Sequence, residues 1–210
     1  VGALFASNMG FKINYNLAAS GDAVPGGTSA SGTNTLGLPY NAQTNLLDAE
    51  DLIDDINAGA GSSVVGSVSR WVKATDGLEV YTGTAGVNFS LVPGDSYLVK
   101  MSTTTNYIVV GSHAPTLPIV LDGPGTNGSA TGTTLWAYPY HSTAATAENL
   151  IDEINTAAGS SVVGSVARWV KTSDGLEVYT GTAGVNFGLT PGEGYFVKVG
   201  STVTWTPSHY

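Results

Sequence analysis

The stretch GSSVVGSVSRWVKATDGLEVYTGTAGVNFSLVPGDSYLVK at Gly61–Lys100 recurs as GSSVVGSVARWVKTSDGLEVYTGTAGVNFGLTPGEGYFVK at Gly159–Lys198, and this duplication decides the fold. The two stretches are offset by 98 residues, and 32 of their 40 positions are identical. The match extends upstream, because AEDLIDDIN at Ala49–Asn57 corresponds to AENLIDEIN at Ala147–Asn155. Self-similarity over this length indicates two structural units of one kind.

The duplication divides the 210-residue chain into three parts. We predict two tandem homologous domains, repeat 1 at residues 11–113 and repeat 2 at residues 114–210, preceded by an arm at residues 1–10. Domains of about 100 residues are long enough to bury their own hydrophobic cores. Each repeat is therefore expected to fold around a core of its own.

Each repeat is predicted to contain one short helix. In repeat 1 the apolar residues Leu52, Ile53 and Ile56 share one face at helical spacing. Asp48 can cap the first turn, and Gly59 and Gly61 can end the helix. The same pattern in repeat 2 predicts a second helix.

The remainder of each repeat predicts short strands. Val64–Val72 and Leu78–Tyr81 are rich in β-branched and aromatic residues and flank an Asp76-Gly77 turn. Pro93-Gly94 is the pair expected at the centre of a type II turn. Short strands at this spacing predict an all-β, sandwich-like fold with one short α-helix per domain. A parallel sheet is disfavoured, since it would need a helix after each strand.

Composition narrows the class of function. The chain has 7 basic and 16 acidic residues, a net charge of -9, which disfavours nucleic-acid binding. No apolar run approaches the roughly 18 residues that a membrane span needs. There is no cysteine, so disulfides and thiolate metal sites are excluded. The Gly-, Ser- and Thr-rich composition, together with a first residue that is Val1, predicts an extracellular or cell-surface protein whose signal peptide has been removed.

The sequence contains no recognisable catalytic motif. Neither Gly-x-Ser-x-Gly nor His-Glu-x-x-His occurs, and the three histidines, His113, His141 and His209, have no evident partner. A hydrolase would require His113 or His141 to face a carboxylate in a cleft. Acidic residues between positions 48 and 55 are scattered around the helix axis and lack the spacing of a calcium loop. We predict no enzymatic activity, no cofactor and no metal site.

The four tryptophans fall into two classes. Trp71 and Trp169 occupy equivalent positions inside β-branched runs, which predicts that they belong to the core. Each follows an arginine, which we expect to pair with a carboxylate of the helix. Trp136 and Trp205 have no tryptophan counterpart in repeat 1 and are candidates for contact with a ligand or partner, such as a surface glycan.

The arm is similar to the end of a repeat. Within GALFASN at Gly2–Asn8, Ser7-Asn8 precedes repeat 1 much as Ser112-His113 precedes repeat 2. The arm could add as an extra strand to its own repeat, or fray. Alternatively, it could complete the sheet of a neighbouring subunit, which would propagate into a filament. In that case the residues of the arm that contact the neighbour are Val1, Ala3, Leu4, Phe5 and Ala6.

Short motifs of turn and packing residues are spread over nearly the whole chain: LPYN (Leu38–Asn41), AEDLIDDIN (Ala49–Asn57), VSRW (Val68–Trp71), NFSLVPGDSYLV (Asn88–Val99), VGSH (Val110–His113), GEGY (Gly192–Tyr195) and PSHY (Pro207–Tyr210). Together these motifs resemble those of tandem repeat modules in exported bacterial surface or secreted proteins. The resemblance implies an extracellular or cell-surface location and identifies no catalytic residue.

These observations predict a structural role. The leading hypothesis is the subunit of an extracellular filament, a head-to-tail homopolymer assembled by strand addition through the arm. The alternative is a cell-surface adhesin or carbohydrate-binding module, which would expose Trp136 and Trp205.

Overall fold

A computed structural model describes residues 11–39, 41–42, 45–112, 118–140 and 142–208. The described residues of repeat 1 form nine strands and one helix: β1 (Phe11–Leu17), β2 (Ala23–Val24), β3 (Gly27–Thr28), β4 (Thr33–Gly37), β5 (Asn41–Ala42), α1 (Ala49–Ala60), β6 (Val65–Val72), β7 (Gly77–Tyr81), β8 (Ser96–Met101) and β9 (Thr105–Ser112). The elements described for repeat 2 are β10 (Ile119–Leu121), β11 (Thr133–Ala137), α2 (Ala147–Ala158), β12 (Val163–Val170), β13 (Gly175–Tyr179), β14 (Gly194–Val199) and β15 (Val203–Trp205).

Each repeat contains one larger and one smaller sheet, and repeat 1 has in addition the two-stranded sheet β2-β3. The larger sheets have the same four-stranded order, β4-β8-β6-β7 in repeat 1 and β11-β14-β12-β13 in repeat 2. The smaller sheets are β1-β9-β5 and β10-β15. All ladders between the described strands are antiparallel. The predicted all-β, sandwich-like class with one helix per repeat is confirmed.

The helix of repeat 1 begins and ends where the sequence predicts. The Asp48 side chain accepts hydrogen bonds from the backbone N–H groups of Glu50 and Asp51, at 3.1 and 3.0 Å. Gly61 ends the helix in the left-handed conformation, with φ of 70°. In repeat 2, Thr146 and Gly159 take the same two roles. The capping residues therefore fix the position of each helix along the chain.

The hairpin turns also follow from local sequence. Gly94 has φ of 89° after Pro93, and the Asp95 N–H donates to the Val92 carbonyl at 3.0 Å, as in a type II turn. Asp76 adopts a left-handed φ of 47° just before β7 begins at Gly77. This turn returns β7 antiparallel to β6.

Each repeat has its own hydrophobic core. The apolar face of each helix packs against the larger and smaller sheets of the same repeat. In repeat 1 the helix contributes Leu52 and Ile56, neither of which is exposed to solvent, and β9 contributes Tyr107 and Val109. The amphipathic helix is thus held mainly by tertiary packing.

The repeats contact each other through reciprocal interactions. Six hydrogen bonds between the repeats form three pairs, and in each pair one bond is the equivalent of the other with the repeats exchanged. This is the property of an isologous interface. The duplication is therefore arranged as a pseudo-two-fold pair. The three pairs of hydrogen bonds are Trp71 Nε1 to Thr133 O (3.0 Å) with Trp169 Nε1 to Thr33 O (3.2 Å), Gly37 N to Gly192 O (2.7 Å) with Ala137 N to Gly94 O (3.1 Å), and Ala30 N to Lys171 O (2.8 Å) with Ala130 N to Lys73 O (2.8 Å).

Candidate functional site

The predicted contact residues of the arm, Val1, Ala3, Leu4, Phe5 and Ala6, lie outside the described residues. His113 and His141, one of which a hydrolase would require, also lie outside them, as does His209. The described chain begins at Phe11, the first residue of β1. The structure therefore describes the surfaces of the two repeats that could receive the arm.

Trp136 and Trp205 lie in the core of repeat 2. Each is only 2% exposed, and their rings meet edge to face with centroids 5.1 Å apart. Trp205 Nε1 donates to a carboxylate oxygen of Glu153 on α2 at 2.9 Å. The expectation that these two tryptophans are exposed for a ligand or partner is wrong, because both rings are buried where Trp205 of the smaller sheet packs against Trp136 of the larger sheet.

The counterpart of Trp205 in repeat 1 is a tyrosine, Tyr107. Tyr107 OH donates to the Asp55 carboxylate on α1 at 2.7 Å, and both residues are offset by 98 from the Trp205 and Glu153 pair. The repeat offset applied to the helix carboxylates would have found it.

Trp71 and Trp169 are half-buried at the boundary between the repeats, so their assignment to the core of a single repeat is wrong. Trp71 packs edge-on against Phe196 of repeat 2, with ring centroids 5.3 Å apart. Each indole N–H donates to a backbone carbonyl of the other repeat. These tryptophans join the two repeats.

The arginines before these tryptophans pair with the neighbouring strand, which corrects the expectation of a helix carboxylate. Arg70 lies opposite Glu79 in the β6–β7 ladder, and their side chains approach to 2.6 Å. The guanidinium also lies over the Phe89 ring, 5.0 Å from its centroid. Arg168 and Glu177 repeat this arrangement at the same distance.

Two grooves flank the boundary between the repeats. Both are lined by the repeated Arg-Trp-Val-Lys segment, at residues 70–73 in one groove and 168–171 in the other. The first groove encloses about 330 Å³ and the second about 600 Å³. The larger one, which we call the β1 groove, is bordered by Asn14–Leu17 of β1 and by Trp169 of β12. The pseudo-two-fold axis thus produces two grooves that are equivalent in origin but unequal in size.

Charged groups in these grooves are partly desolvated. Burial lowers the pKa of Lys171, and the nearby Glu193 carboxylate opposes that shift. The Lys171 ammonium donates to the backbone carbonyl of Asn16 in β1 at 3.3 Å. In the smaller groove, burial raises the pKa of Asp95 to about 6, opposed by the positive charges of Lys73 and Arg70.

Within the described ranges, no group of three or more His, Cys, Asp or Glu side chains is placed to hold a metal ion. None of the helices in the described part of the chain is both long and apolar enough to cross a bilayer. No protein-family model, curated protein or solved structure matches the chain.

Proposed function

We propose that the protein is a structural subunit of an extracellular filament, in which the arm of one copy adds as a β-strand to a sheet of the next. This assembly is a head-to-tail homopolymer, because donor and acceptor surfaces differ and the contact does not close on itself. The proposal includes export to the cell surface and no catalytic role.

The junction between the two repeats supports the proposal most directly. β9 and β10 are consecutive strands, yet they belong to different sheets. β9 pairs with β1 of repeat 1, which it ends, through seven residue pairs. β10 pairs with β15 of repeat 2. The arm precedes β1 as β9 precedes β10, and its Ser7-Asn8 resembles Ser112-His113. By the same arrangement, the arm would lie in a sheet of a unit other than the repeat it precedes.

Both repeats already possess a closing strand. β9 pairs with β1 in repeat 1, and β15 pairs with β10 in repeat 2. Because the closing position is filled in both repeats of every copy, a third segment of this type, the arm, would have to add to a different strand edge. Its side chains between Val1 and Asn8 carry no charge, so the arm itself brings no ionised side chain that would have to be desolvated on burial.

The arm needs a backbone ladder to stay bound. Burying Val1, Leu4 and Phe5 does not by itself offset the conformational entropy lost when eight residues become ordered. Continuous hydrogen bonds along a strand edge, in a groove that excludes water, would supply the remaining stabilisation. Strand addition provides both.

Negative-stain electron microscopy of the purified protein tests the proposal. We expect fibres from the intact chain and discrete particles after deletion of Val1–Asn8. A full-length variant, Leu4→Asp with Phe5→Asp, should also fail to assemble, whereas Leu4→Val should assemble. Fibres of unchanged helical repeat from the truncated chain would contradict the proposal.

The alternative function, an adhesin or carbohydrate-binding module, depends on exposed Trp136 and Trp205. Both rings are buried in the core of repeat 2. The buried rings cannot serve as a platform for a sugar at the surface.

A further inference from the structure

We infer that the acceptor for the arm is the edge of β1 that faces away from β9, together with the β1 groove of the neighbouring subunit. The inference rests on the proposed function and names the site within it. It commits to one occupant, the segment Val1–Asn8 of another copy of this chain.

The edge of β1 offers backbone groups for a further strand. β1 is an outer strand of its sheet, paired only with β9. The Asn16 carbonyl points away from β9, since it accepts a hydrogen bond from Lys171 of repeat 2. In an antiparallel ladder, alternate residues direct both backbone groups to the same side. Lys12 and Asn14 therefore present their N–H and C=O groups along the same edge as Asn16.

Among the outer strands of the described sheets, β1 is the longest, with seven residues. The edge of β4 is occupied by repeat 2, through the hydrogen bonds of Thr33 O and Gly37 N, and the edge of β11 is occupied by repeat 1 in the same way. β7 has five residues, and the loop after it forms a bridge only at the last of them, between Tyr81 and Gly86; β13 is arranged in the same way. β1 therefore offers the longest edge to an incoming strand.

The β1 groove supplies side-chain contacts on the far side of that edge. Its opposite wall is formed by Trp169 and Val170 of β12, both half-buried, and by Pro191. A strand placed against β1 would gain a backbone ladder on one side and apolar contacts on the other. The β1 groove has a volume of about 600 Å³, almost twice that of the equivalent groove. The equivalent groove is not bordered by β10, the counterpart of β1. The acceptor is therefore present once per chain.

The arm fits this acceptor in length and character. Eight extended residues span about 27 Å at roughly 3.4 Å each, slightly more than the seven residues of β1. The arm carries no charged side chain and includes adjacent Leu4 and Phe5. The Lys171 ammonium donates to Asn16 O and so occupies part of this edge. A backbone N–H of the incoming strand would replace it as the donor to Asn16 O.

Engineered cysteines test this placement, because the chain contains none of its own. One preparation carries Asn14→Cys, an exposed position on β1, and a second carries Ala3→Cys or Ala6→Cys in the arm. The two arm positions face opposite sides of a strand, so one of them suits a cross-strand disulfide. The preparations are mixed, assembled and oxidised. The control replaces Asn14→Cys with Ala58→Cys on the exposed surface of α1.

We expect a disulfide-linked dimer of the two different variants as the major oxidised species, and none with the Ala58→Cys control. Fibres without this cross-link at either arm position would overturn the inference and leave the filament proposal standing. Absence of fibres from unmodified protein would overturn both. A monomeric chain with both cysteines that forms the disulfide internally would show that the arm pairs with its own β1, which also overturns the inference.

Discussion

Gly192→Ala is expected to destabilise the protein because Gly192 lies where repeat 2 meets β1. Its φ is 83°, and a Cβ added there would come within 2.7 Å of both Ile13 Cγ2 and Tyr15 Oη. The left-handed backbone costs alanine about 1–2 kcal/mol. Overpacking against the two buried side chains adds about 1–3 kcal/mol. The expected loss in the free energy of unfolding is therefore about 2–5 kcal/mol.

Gly181→Ala is the matched control for this measurement. Gly181 has the same φ of 83°, but its added Cβ would meet only the Ile151 side chain, at the ordinary contact distances of 3.9 Å to Cδ1 and 4.0 Å to Cγ2. The control should lose only the backbone contribution, about 1–2 kcal/mol. Urea unfolding of the three proteins, at equal m values, gives the difference directly. Equal losses from the two variants would refute the close packing of β1 on the 191–193 turn.

Four further variants test other parts of the structure. Trp205→Ala should lower the free energy of unfolding by about 3–5 kcal/mol in urea, and a loss below about 1 kcal/mol would contradict its burial. Asp95 holds its proton more tightly when folded than unfolded, since its pKa is raised from 3.8 to about 6, so stability falls as pH rises through that window. Asp95→Asn should remove this fall and gain about 1–3 kcal/mol at pH 7.5; parallel stability curves from pH 4 to 7.5 would exclude the effect. Trp71→Phe and Trp169→Phe should each lose about 1 kcal/mol, and unequal losses would argue against the pseudo-two-fold arrangement.

Local signals in the sequence predicted the elements of each repeat. Asp48 and Gly61 bound the first helix because capping depends on residues adjacent along the chain. Pro93-Gly94 specified its turn for the same reason. The loop between β6 and β7 comprises residues 73–76, because Val72 pairs with Gly77, and Arg70 and Glu79 each lie two residues beyond that pair and face each other. A two-residue turn at Asp76-Gly77 implies a different register, which is why the partner of Arg70 was not predicted.

Long-range arrangement was not predicted. The sequence shows that Trp71 and Trp169 are equivalent, but their contacts depend on how one repeat packs against the other. Periodicity distinguishes the two faces of a strand without revealing what covers each face. The β1 groove likewise exists because the 190–193 turn of repeat 2 lies beside a strand more than 170 residues earlier. No local pattern encodes that approach.

A helical reconstruction of the fibre by electron cryomicroscopy, at a resolution that separates strands, tests the filament proposal most directly. We expect density for residues 1–8 running along β1 of the adjacent subunit, between that strand and Trp169. Fibres in which these residues pair with their own repeat, with subunits joined by other surfaces, would contradict strand addition through the arm.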